Sequence, residues 1–401
     1  MQELTSSTNA SGELLLTLGA LFLIGLAAHE VGKRTCIPRV TLLLLVGAIV
    51  SPNALNIVPP EMQTWFPFVS QTALCMVGFL LGEQFVYRTL IKSGKVIWSI
   101  TIAESICAAG FVFITLYLMN VPLVIALLLA GIAPASAPAA TMDVVKELKL
   151  KGLLPTVLLE VVAIDDAFGI ILFTVCLVLA NALSGSADIS LGLISAFWEI
   201  VGAVLVGCVV GLPMSKLTGR LTSGEPTLIE ALGFVLFCGG IAKLLGASYL
   251  LSSVVLGIVV ANFAKHHERP FHAIEGISTP LLIIFFLMAG FQFDITALGA
   301  LGVIGAGYII SRSIGLVIGG HIGASLSGAD KVIKKYIGWC LLPQGGVALG
   351  LALMAAEKYP QHASSLLSLV VGTTIVFELF GPILTRYSLV KASRYNKGKE
   401  Q

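Results

Sequence analysis

The chain has 401 residues, of which 57% are apolar and only 11% are charged, with a formal net charge of +2. A soluble domain carries about 25% charged residues, so this composition excludes a soluble globular protein. The small net charge reflects basic loops rather than a nucleic-acid-binding patch. The seven cysteines form no CxxC pair and predict neither a disulfide framework nor a zinc site. The first residues lack a basic region and a cleavage site, so we expect no removable signal peptide.

Long apolar stretches predict an all-α polytopic membrane protein with about 13 transmembrane helices, because about 20 apolar residues cross the hydrocarbon core. The connecting loops are short, so residues 1–401 are expected to form a single transmembrane domain. The predicted spans are 13–30, 37–51, 65–86, 96–118, 122–145, 152–182, 189–214, 226–244, 248–264, 275–293, 297–326, 334–356 and 364–390.

The basic residues support this count of spans. With the N-terminus outside, 21 of the 24 Lys and Arg residues lie in inside loops or the C-terminal tail, and only Lys243 and Lys358 lie outside. We therefore expect a protein of the cell (inner) membrane with a cytoplasmic C-terminus. The loop residues counted as inside are Lys33, Arg34, Arg39, Arg88, Lys92, Lys95, Lys146, Lys149, Lys151, Lys216, Arg220, Lys265, Arg269, Lys331, Lys334 and Lys335.

Two spans carry helix breakers at mid-membrane depth. Residues 131–141 read GIAPASAPAAT, with Pro134 and Pro138 four residues apart. Residues 341–350 read LLPQGGVALG, which places Pro343, Gln344, Gly345 and Gly346 together. Proline removes a hydrogen-bond donor and clashes with the preceding turn. Unwound backbone at membrane depth is tolerated only where it is buried or lines a wet cavity, so both spans are predicted to be broken helices at a site.

The two breaks are seven spans and about 209 residues apart, which indicates an internal repeat. The same offset brings Glu104 beside Arg312 and Asp165 close to Glu378. Because seven is odd, the two halves have opposite orientations in the membrane. We expect inverted repeats over about 13–182 and 226–390, joined by a linker helix at about 189–214, with two broken helices crossing at a transporter's site.

Five ionisable residues lie well inside predicted spans, where charge is costly and marks a site or a partner by default. They are Glu104, Asp165, Asp166, Arg312 and Glu378. The neighbours Asp165 and Asp166 lie about 100° apart on a helix and can face one wet cavity. Two close carboxylates are not both charged cheaply unless a cation binds, so protons and a hard cation such as Na⁺ are expected to compete for their oxygens.

Further oxygen ligands are available from the hydroxyls of Ser136 and Thr141 and from unwound carbonyls near Pro134 and Pro138. The other ionisable residues have structural interpretations. Arg312 can neutralise Glu104, Asp165 or Glu378, and we favour a salt-bridging or hydrogen-bonding role for both glutamates. For the histidines, packing of His321 and a solvated loop for His266, His267 and His272 are favoured over pH sensing.

At these residues the chain resembles the monovalent cation:proton antiporter superfamily, the Na⁺/H⁺ antiporters of the Asp-Asp type. The resemblance rests on five segments: VVAIDDAFGIILF at 161–173, ASAPAAT at 135–141, LLPQGGVALGLAL at 341–353, SYLLSSVVLGIVVAN at 248–262 and FELFGPILTRYSLVKA at 377–392. It implies a thirteen-span inverted-repeat fold, a substrate carboxylate at Asp166 with Asp165 as its partner, and a homodimer in which a core domain moves against a dimerisation domain.

The sequence departs from the family pattern at several positions. Arg312 falls where electrogenic members carry a lysine that pairs with the first aspartate, whereas electroneutral members carry arginine with Asn-Asp. An arginine stays protonated, so it cannot act as a second proton carrier, and the number of protons per cation stays open. Ser136 stands where threonine is usual, and Ala137 replaces a polar residue.

The resemblance implies a Na⁺(Li⁺)/H⁺ antiporter, not an enzyme, that exchanges cytoplasmic sodium for external protons by alternating access and contributes to pH homeostasis. Its partners are Na⁺, H⁺ and the lipid bilayer, and no cofactor is expected beyond the transported ions. Alternatives are a K⁺/H⁺ antiporter or efflux protein, and a sodium-coupled organic-anion symporter, which needs a larger cavity. An intramembrane aspartyl protease fits poorly, because its acids face each other from different helices.

Overall fold

The structure is a computed structural model that describes residues 2–34, 39–51, 55, 60–87, 94–150, 152–184, 189–218, 227–266, 268–291 and 297–397. Every residue predicted for the ion site is among them. Several residues used in the sequence analysis lie outside the described residues, namely Cys36, Arg88, Lys92, Lys151, Arg220, His267 and Lys399.

The described residues form fifteen α-helices and two short 3₁₀ turns, with no strand among them. The helices are α1 Gln2–Arg34, α2 Arg39–Val50, α3 Pro60–Gly82, α4 Gly94–Leu118, α5 Leu123–Ile132, α6 Pro138–Leu148, α7 Leu153–Ser184, α8 Ile189–Thr218, α9 Thr227–Leu244, α10 Tyr249–Phe263, α11 Glu268–Phe291, α12 Ala297–Leu326, α13 Lys331–Cys340, α14 Gly346–Lys358 and α15 Ala363–Lys397. The 3₁₀ turns are Glu83–Phe85 and Pro360–His362.

Each of the thirteen predicted spans coincides with one helix or with an interrupted pair of helices. The interrupted pairs are α5 with α6 and α13 with α14, so the two predicted breaks are confirmed. Among the described residues, eight helices are long and apolar enough to cross a membrane, and four apolar segments of 10–17 residues are shorter. The number of thirteen crossings stays a prediction.

Some helix ends differ from the predicted span limits because polar residues extend the helices beyond their apolar parts. The α13 helix begins at Lys331, three residues before the predicted span, because the Asp330 side chain caps it by accepting a hydrogen bond from the Val332 amide at 2.8 Å. The α11 helix begins at Glu268, where an acidic side chain in the first turn favours the positive helix end.

The helices pack into two bundles. The site bundle contains α4–α7 and α12–α15, and the flanking bundle contains α1–α3 and α9–α11. The α8 helix packs on α10 of the flanking bundle and on α7 of the site bundle, and its role as a linker helix stays a prediction.

Within the site bundle, α4 and α12 lie in close contact along their length. Three glycines of α12, at positions 315, 319 and 323, face the α4 backbone so closely that an added Cβ would overlap it. Small residues at such spacing let two membrane helices approach closely. This packing fixes Glu104 of α4 and Arg312 of α12 near each other in the middle of the bundle.

The flanking bundle contains two glycine crossings. At one, Gly47 of α2 lies against Gly290 of α11; at the other, Gly82 of α3 lies against Gly257 of α10. At each crossing an added Cβ would overlap a backbone atom of the partner helix. Gly257 lies 210 residues after Gly47, and Gly290 lies 208 after Gly82. These offsets are close to the spacing of the two breaks, so the two crossings would be equivalent positions of the predicted repeat.

The glycine crossings generate a stability prediction. In the Gly257→Ala variant, the new methyl group would meet the Phe79 carbonyl oxygen and the Gly82 Cα, which lies 2.9 Å from the ideal Cβ position. Because both atoms belong to the backbone, α3 and α10 must move apart. We expect the free energy of unfolding to fall by about 1–3 kcal/mol. The measurement is the melting temperature of the detergent-solubilised protein.

Gly233→Ala in α9 is the matched control, since nothing lies within 4 Å of its Cβ position. It is expected to keep the wild-type melting temperature or to raise it. Equal melting temperatures for the two variants would contradict the close crossing.

Candidate functional site

The two helix breaks meet inside the site bundle. The first break separates the end of α5 at Ile132 from the start of α6 at Pro138, and the second separates α13 from α14. An ideal Cβ on Gly345 of the second break would lie 3.0 Å from the Ala137 Cβ of the first. Four helix ends therefore converge at one point in the membrane-embedded part of the chain.

The helix breakers have distinct positions in these breaks. Pro138 occupies the first turn of α6, where a missing N–H costs no hydrogen bond, so this proline begins a helix rather than unwinding one. Pro134 lies in the preceding turn. In the second break, Pro343 packs against Gly381 of α15, and the Gln344 amide nitrogen donates to the Tyr308 hydroxyl at 3.1 Å. Gly346 opens α14.

Arg312 links the two breaks through its guanidinium group. Its Nε donates to the Ala133 carbonyl at 2.7 Å and its Nη2 to the Ala135 carbonyl at 3.0 Å, both in the first break. Its Nη1 donates to the Leu342 carbonyl of the second break at 2.8 Å. The side chain is fully buried, with the Phe377 ring 4.3 Å from its Cζ. The guanidinium thus satisfies carbonyls at the negative ends of α5 and α13.

Arg312 makes no direct ion pair in the part of the chain that the structure describes. Ion pairs within 4.0 Å there include those of Lys243 with Glu357, Lys358 with Glu199 and Arg386 with Glu147. Asp165 and Glu104 lie close enough to Arg312 for electrostatic attraction. The guanidinium therefore acts on these acids through space, while its hydrogen bonds go to backbone carbonyls.

The two aspartates of α7 are buried but have different surroundings. Asp166 lines a cavity of about 170 Å³ between the bundles, together with Ser136, Pro138 and Gly346 of the site bundle. The flanking bundle contributes apolar side chains of α3 and α11 to the same cavity. The main-chain amide of Ser136 lies next to the Asp166 carboxyl group.

Asp165 is not among the residues that line this cavity. Its carboxyl group lies beside Glu104 and Ser105 of α4 and beside Ser136. From the sequence, both carboxyl groups could face one cavity. In the structure only the Asp166 carboxyl group lines it, because α4 covers the side of α7 from which Asp165 projects. Ser136 adjoins both aspartates and connects their two environments.

Several buried oxygens of the predicted site have no hydrogen-bond partner among the described residues. They are Ser136 Oγ, Thr141 Oγ1, both carboxyl oxygens of Asp165, and Asp166 Oδ1. A buried acceptor without a partner is costly. Carboxylate and hydroxyl oxygens are the ligands that hard cations prefer, and protons bind to the same carboxylates. Thr141 lies one turn into α6, and no hydrogen bond joins it to either aspartate.

Glu104 and Glu378 occupy different places. Glu104 is fully buried on α4, where its Oε1 accepts from the Ser105 hydroxyl at 3.0 Å and its Oε2 has no hydrogen-bond partner. Glu378 on α15 accepts a hydrogen bond from the Thr41 hydroxyl of α2 at 2.5 Å. Glu104 thus belongs to the Asp165 environment, whereas Glu378 links the two bundles.

A polar cluster at one rim of the molecule, the rim cluster, also joins the bundles. Lys358 at the end of α14 pairs at 3.0 Å with Glu199 of α8, whose side chain is only 5% exposed. Glu357 pairs at 2.8 Å with Lys243 of α9. Both lysines predicted to lie outside belong to this cluster. Its members are Gln71, Asn181, Glu199, Lys243, Tyr249, Glu357, Lys358 and Tyr359.

Neither the rim cluster nor Thr41 is marked as a site by the amino-acid sequence. Lys243, Glu357 and Lys358 stand at helix ends, where charge is ordinary. A hydroxyl in an apolar helix, such as that of Thr41, carries no distinctive signal. The one sequence signal for the rim cluster is the pair of lysines that fall outside in the predicted topology.

The bridging role of Arg312 generates a second prediction. In Arg312→Lys, one ammonium group replaces a planar fork that reaches carbonyls in both breaks. Carbonyls of the breaks then lose their donors, and we expect a loss of about 1–3 kcal/mol in stability. The readout is the melting temperature in detergent.

Arg386→Lys is the control, because Arg386 and Glu147 form an exposed ion pair with side chains 55% and 61% accessible. Such a pair contributes about 0–1 kcal/mol, so the control is expected to melt like wild type. If the two lysine variants have the same melting temperature, Arg312 does not link the breaks.

Comparisons with known proteins agree with this architecture. The family model described as "Sodium/hydrogen exchanger, transmembrane" matches residues 17–389. The ammonium/H⁺ antiporter subunit AmhT of Alkalihalophilus pseudofirmus is 22% identical over 360 residues, covering 87% of this chain and 88% of that protein. The low-affinity Na⁺/H⁺ antiporter NhaS1 of Synechocystis is 23% identical over 404 residues, covering 94% of this chain and 74% of that protein.

Among solved structures, the sodium proton antiporter MjNhaP1 from Methanocaldococcus jannaschii has the same fold. The two structures superpose with a TM-score of 0.71 at 22% identity, over 95% of this chain and 97% of that chain. Because the family model matches nearly the whole chain, this multi-pass membrane protein belongs to the transmembrane sodium/hydrogen exchanger family.

Proposed function

We propose that this chain is a Na⁺(Li⁺)/H⁺ antiporter whose ions bind at Asp166, Asp165 and Ser136. The observation that carries the proposal is the cavity between the bundles, where Asp166 and Ser136 present buried oxygens without hydrogen-bond partners. The names of relatives such as NhaS1 and of MjNhaP1 support sodium and protons as the transported ions.

The exchange chemistry follows from competition for the same oxygens. When the carboxylates are deprotonated, they attract Na⁺, and when protons bind them, the cation leaves. The α6 and α14 helices begin at the crossing, so their positive ends face the same region as the Ser136 amide beside Asp166. Arg312 occupies the negative helix ends and stays charged throughout. No resident cofactor is part of this cycle.

Alternating access would come from movement of the site bundle against the flanking bundle. The cavity lies between the two bundles, and the Thr41–Glu378 hydrogen bond and the rim cluster connect them. In the orientation proposed from the basic loops, cytoplasmic Na⁺ leaves as external protons enter. The family resemblance adds a homodimer held by the flanking bundle.

Ammonium and potassium are the alternative cations. The relative AmhT is named as an ammonium/H⁺ antiporter subunit, which favours testing NH₄⁺ beside Na⁺, Li⁺ and K⁺. Proteoliposomes with a trapped pH dye and an imposed proton gradient report exchange as dequenching after each cation is added. Repeating the assay with the membrane potential clamped or left free separates a one-for-one exchange from one with more protons per cation. Only the electroneutral one-for-one cycle has a rate that does not depend on the potential.

The site assignment predicts that Asp166→Asn abolishes exchange of every cation, since the cavity loses its carboxylate. The matched control is Asp143→Asn on the neighbouring helix α6, where the side chain is exposed. The control is expected to transport like wild type. If the Asp166→Asn protein gave the same dequenching as wild type, Asp166 would not be part of the ion site.

The rim cluster predicts a conformational change on loss of Lys358. In Lys358→Gln, the buried Glu199 carboxylate loses its ion-pair partner, so the link between α14 and α8 weakens. Hydrogen–deuterium exchange is expected to rise in peptides covering residues 243–251 and 354–359. Lys331→Gln, an exposed change at the start of α13, serves as control. Equal exchange in the two variants would show that the rim cluster does not hold the bundles together.

A further inference from the structure

Glu104 is a buried acid that helix packing does not explain. The α4 helix contacts α12 through small residues, and the Gly319 backbone lies directly against the Glu104 backbone. That contact requires a small residue on α12, but it does not require a carboxyl group on α4. Burying a carboxyl group is costly unless it is paired or binds a cation. The Ser105 hydroxyl donates to Oε1 of Glu104, whereas Oε2 has no partner among the described residues unless a proton is shared with the neighbouring Asp165 carboxyl group.

The surroundings of Glu104 are rich in acceptors and poor in donors. Its carboxyl group lies within hydrogen-bonding reach of that of Asp165, so the two acids can share a proton, but when both are charged neither can donate to the other. The buried Ser136 hydroxyl, 1% exposed, is similarly without a partner and lies beside Asp165. Arg312 is close but directs its hydrogen bonds to carbonyls of the two breaks.

Ser136 adjoins both this group of oxygens and the cavity. Ser136 lines the cavity with Asp166 and also adjoins Asp165. Asp166, Ser136, Asp165 and Glu104 therefore follow one another from the cavity towards α4. Carboxylate and hydroxyl oxygens are suitable ligands for a hard monovalent cation.

We propose that Glu104 is a ligand of the transported cation, forming an inner subsite with Asp165 and Ser136, and that it determines selectivity among monovalent cations. This inference rests on the proposed antiport function. Coulomb attraction grows as the distance between charges falls, so a site with an added carboxylate favours the small cations Na⁺ and Li⁺ over K⁺ and NH₄⁺. Glu104 therefore sets the cation preference from the α4 side, opposite the cavity.

The test compares cation selectivity in wild type, Glu104→Gln and Glu104→Asp proteoliposomes, using half-saturating concentrations of Na⁺, Li⁺, K⁺ and NH₄⁺ for exchange. Glu104→Gln keeps the shape but removes the charge. We expect its half-saturating Na⁺ and Li⁺ concentrations to rise at least about tenfold, the loss that follows removal of even an outer-shell partner of a metal ligand. The values for K⁺ and NH₄⁺ should change less, so the Na⁺/K⁺ preference falls. Glu104→Asp keeps a carboxylate, so its Na⁺/K⁺ preference should lie between those of Glu104→Gln and wild type.

Glu160→Gln on α7 is the matched control, a partly buried acid on the helix of the aspartates but away from Asp165. It should keep the wild-type preference. A merely structural Glu104 would lower transport of all four cations together and leave the preference unchanged, which would overturn the inference.

Two further readouts keep the test decisive. If Glu104→Gln does not yield a monodisperse protein, Glu104→Asp alone decides, since an unchanged Na⁺/K⁺ preference after retraction of the carboxylate would contradict a ligand role. Calorimetric Na⁺ binding to the purified wild-type and variant proteins reports the same loss without transport. Wild-type liposomes that exchange no cation would instead refute the proposed function, a result distinct from exchange with unaltered selectivity.

Discussion

The architecture of the site depends on how buried carbonyls at two broken helices are satisfied. Each break leaves backbone acceptors at membrane depth, where water cannot replace the lost helical donors. The Arg312 guanidinium supplies three of these donors, to Ala133, Ala135 and Leu342. With one rigid side chain bonded to both breaks, the crossing has a defined geometry, and the positive ends of α6 and α14 remain available to the proposed ion site.

This arrangement separates two tasks that a membrane-embedded arginine can perform. Direct pairing with a carboxylate would neutralise the acid and remove it from ion binding. Bonding to carbonyls holds the backbone instead, while the positive charge still acts on Asp165 and Glu104 through space. Three of the aspartate oxygens therefore have no hydrogen-bond donor among the described residues, which the proposed exchange of a cation against protons requires.

The sequence predicted features whose signals are local and failed where geometry depends on distant segments. The breaks follow from Pro134, Pro138 and the Pro343–Gly346 segment, and the costly ionisable positions stand out against apolar spans. The partners of Arg312 lie 179, 177 and 30 residues away. Neither they nor the covering of Asp165 by α4 can be read from spacing. Thr41, which binds Glu378, is one hydroxyl in an apolar helix, so nothing in the sequence marked the contact between bundles.

The glycine crossings of the flanking bundle carry a consequence for how the chain is made. Each crossing pairs a helix of the first half with a helix of the second, so neither half contains both sides of a contact. Gly290 is synthesised 243 residues after Gly47, a delay of roughly 10–50 s at usual ribosomal rates. During that time α2 and α3 lie in the bilayer without their partner helices α11 and α10. Assembly of the two halves is therefore obligatorily late, and a truncated first half would insert without being able to close its own bundle.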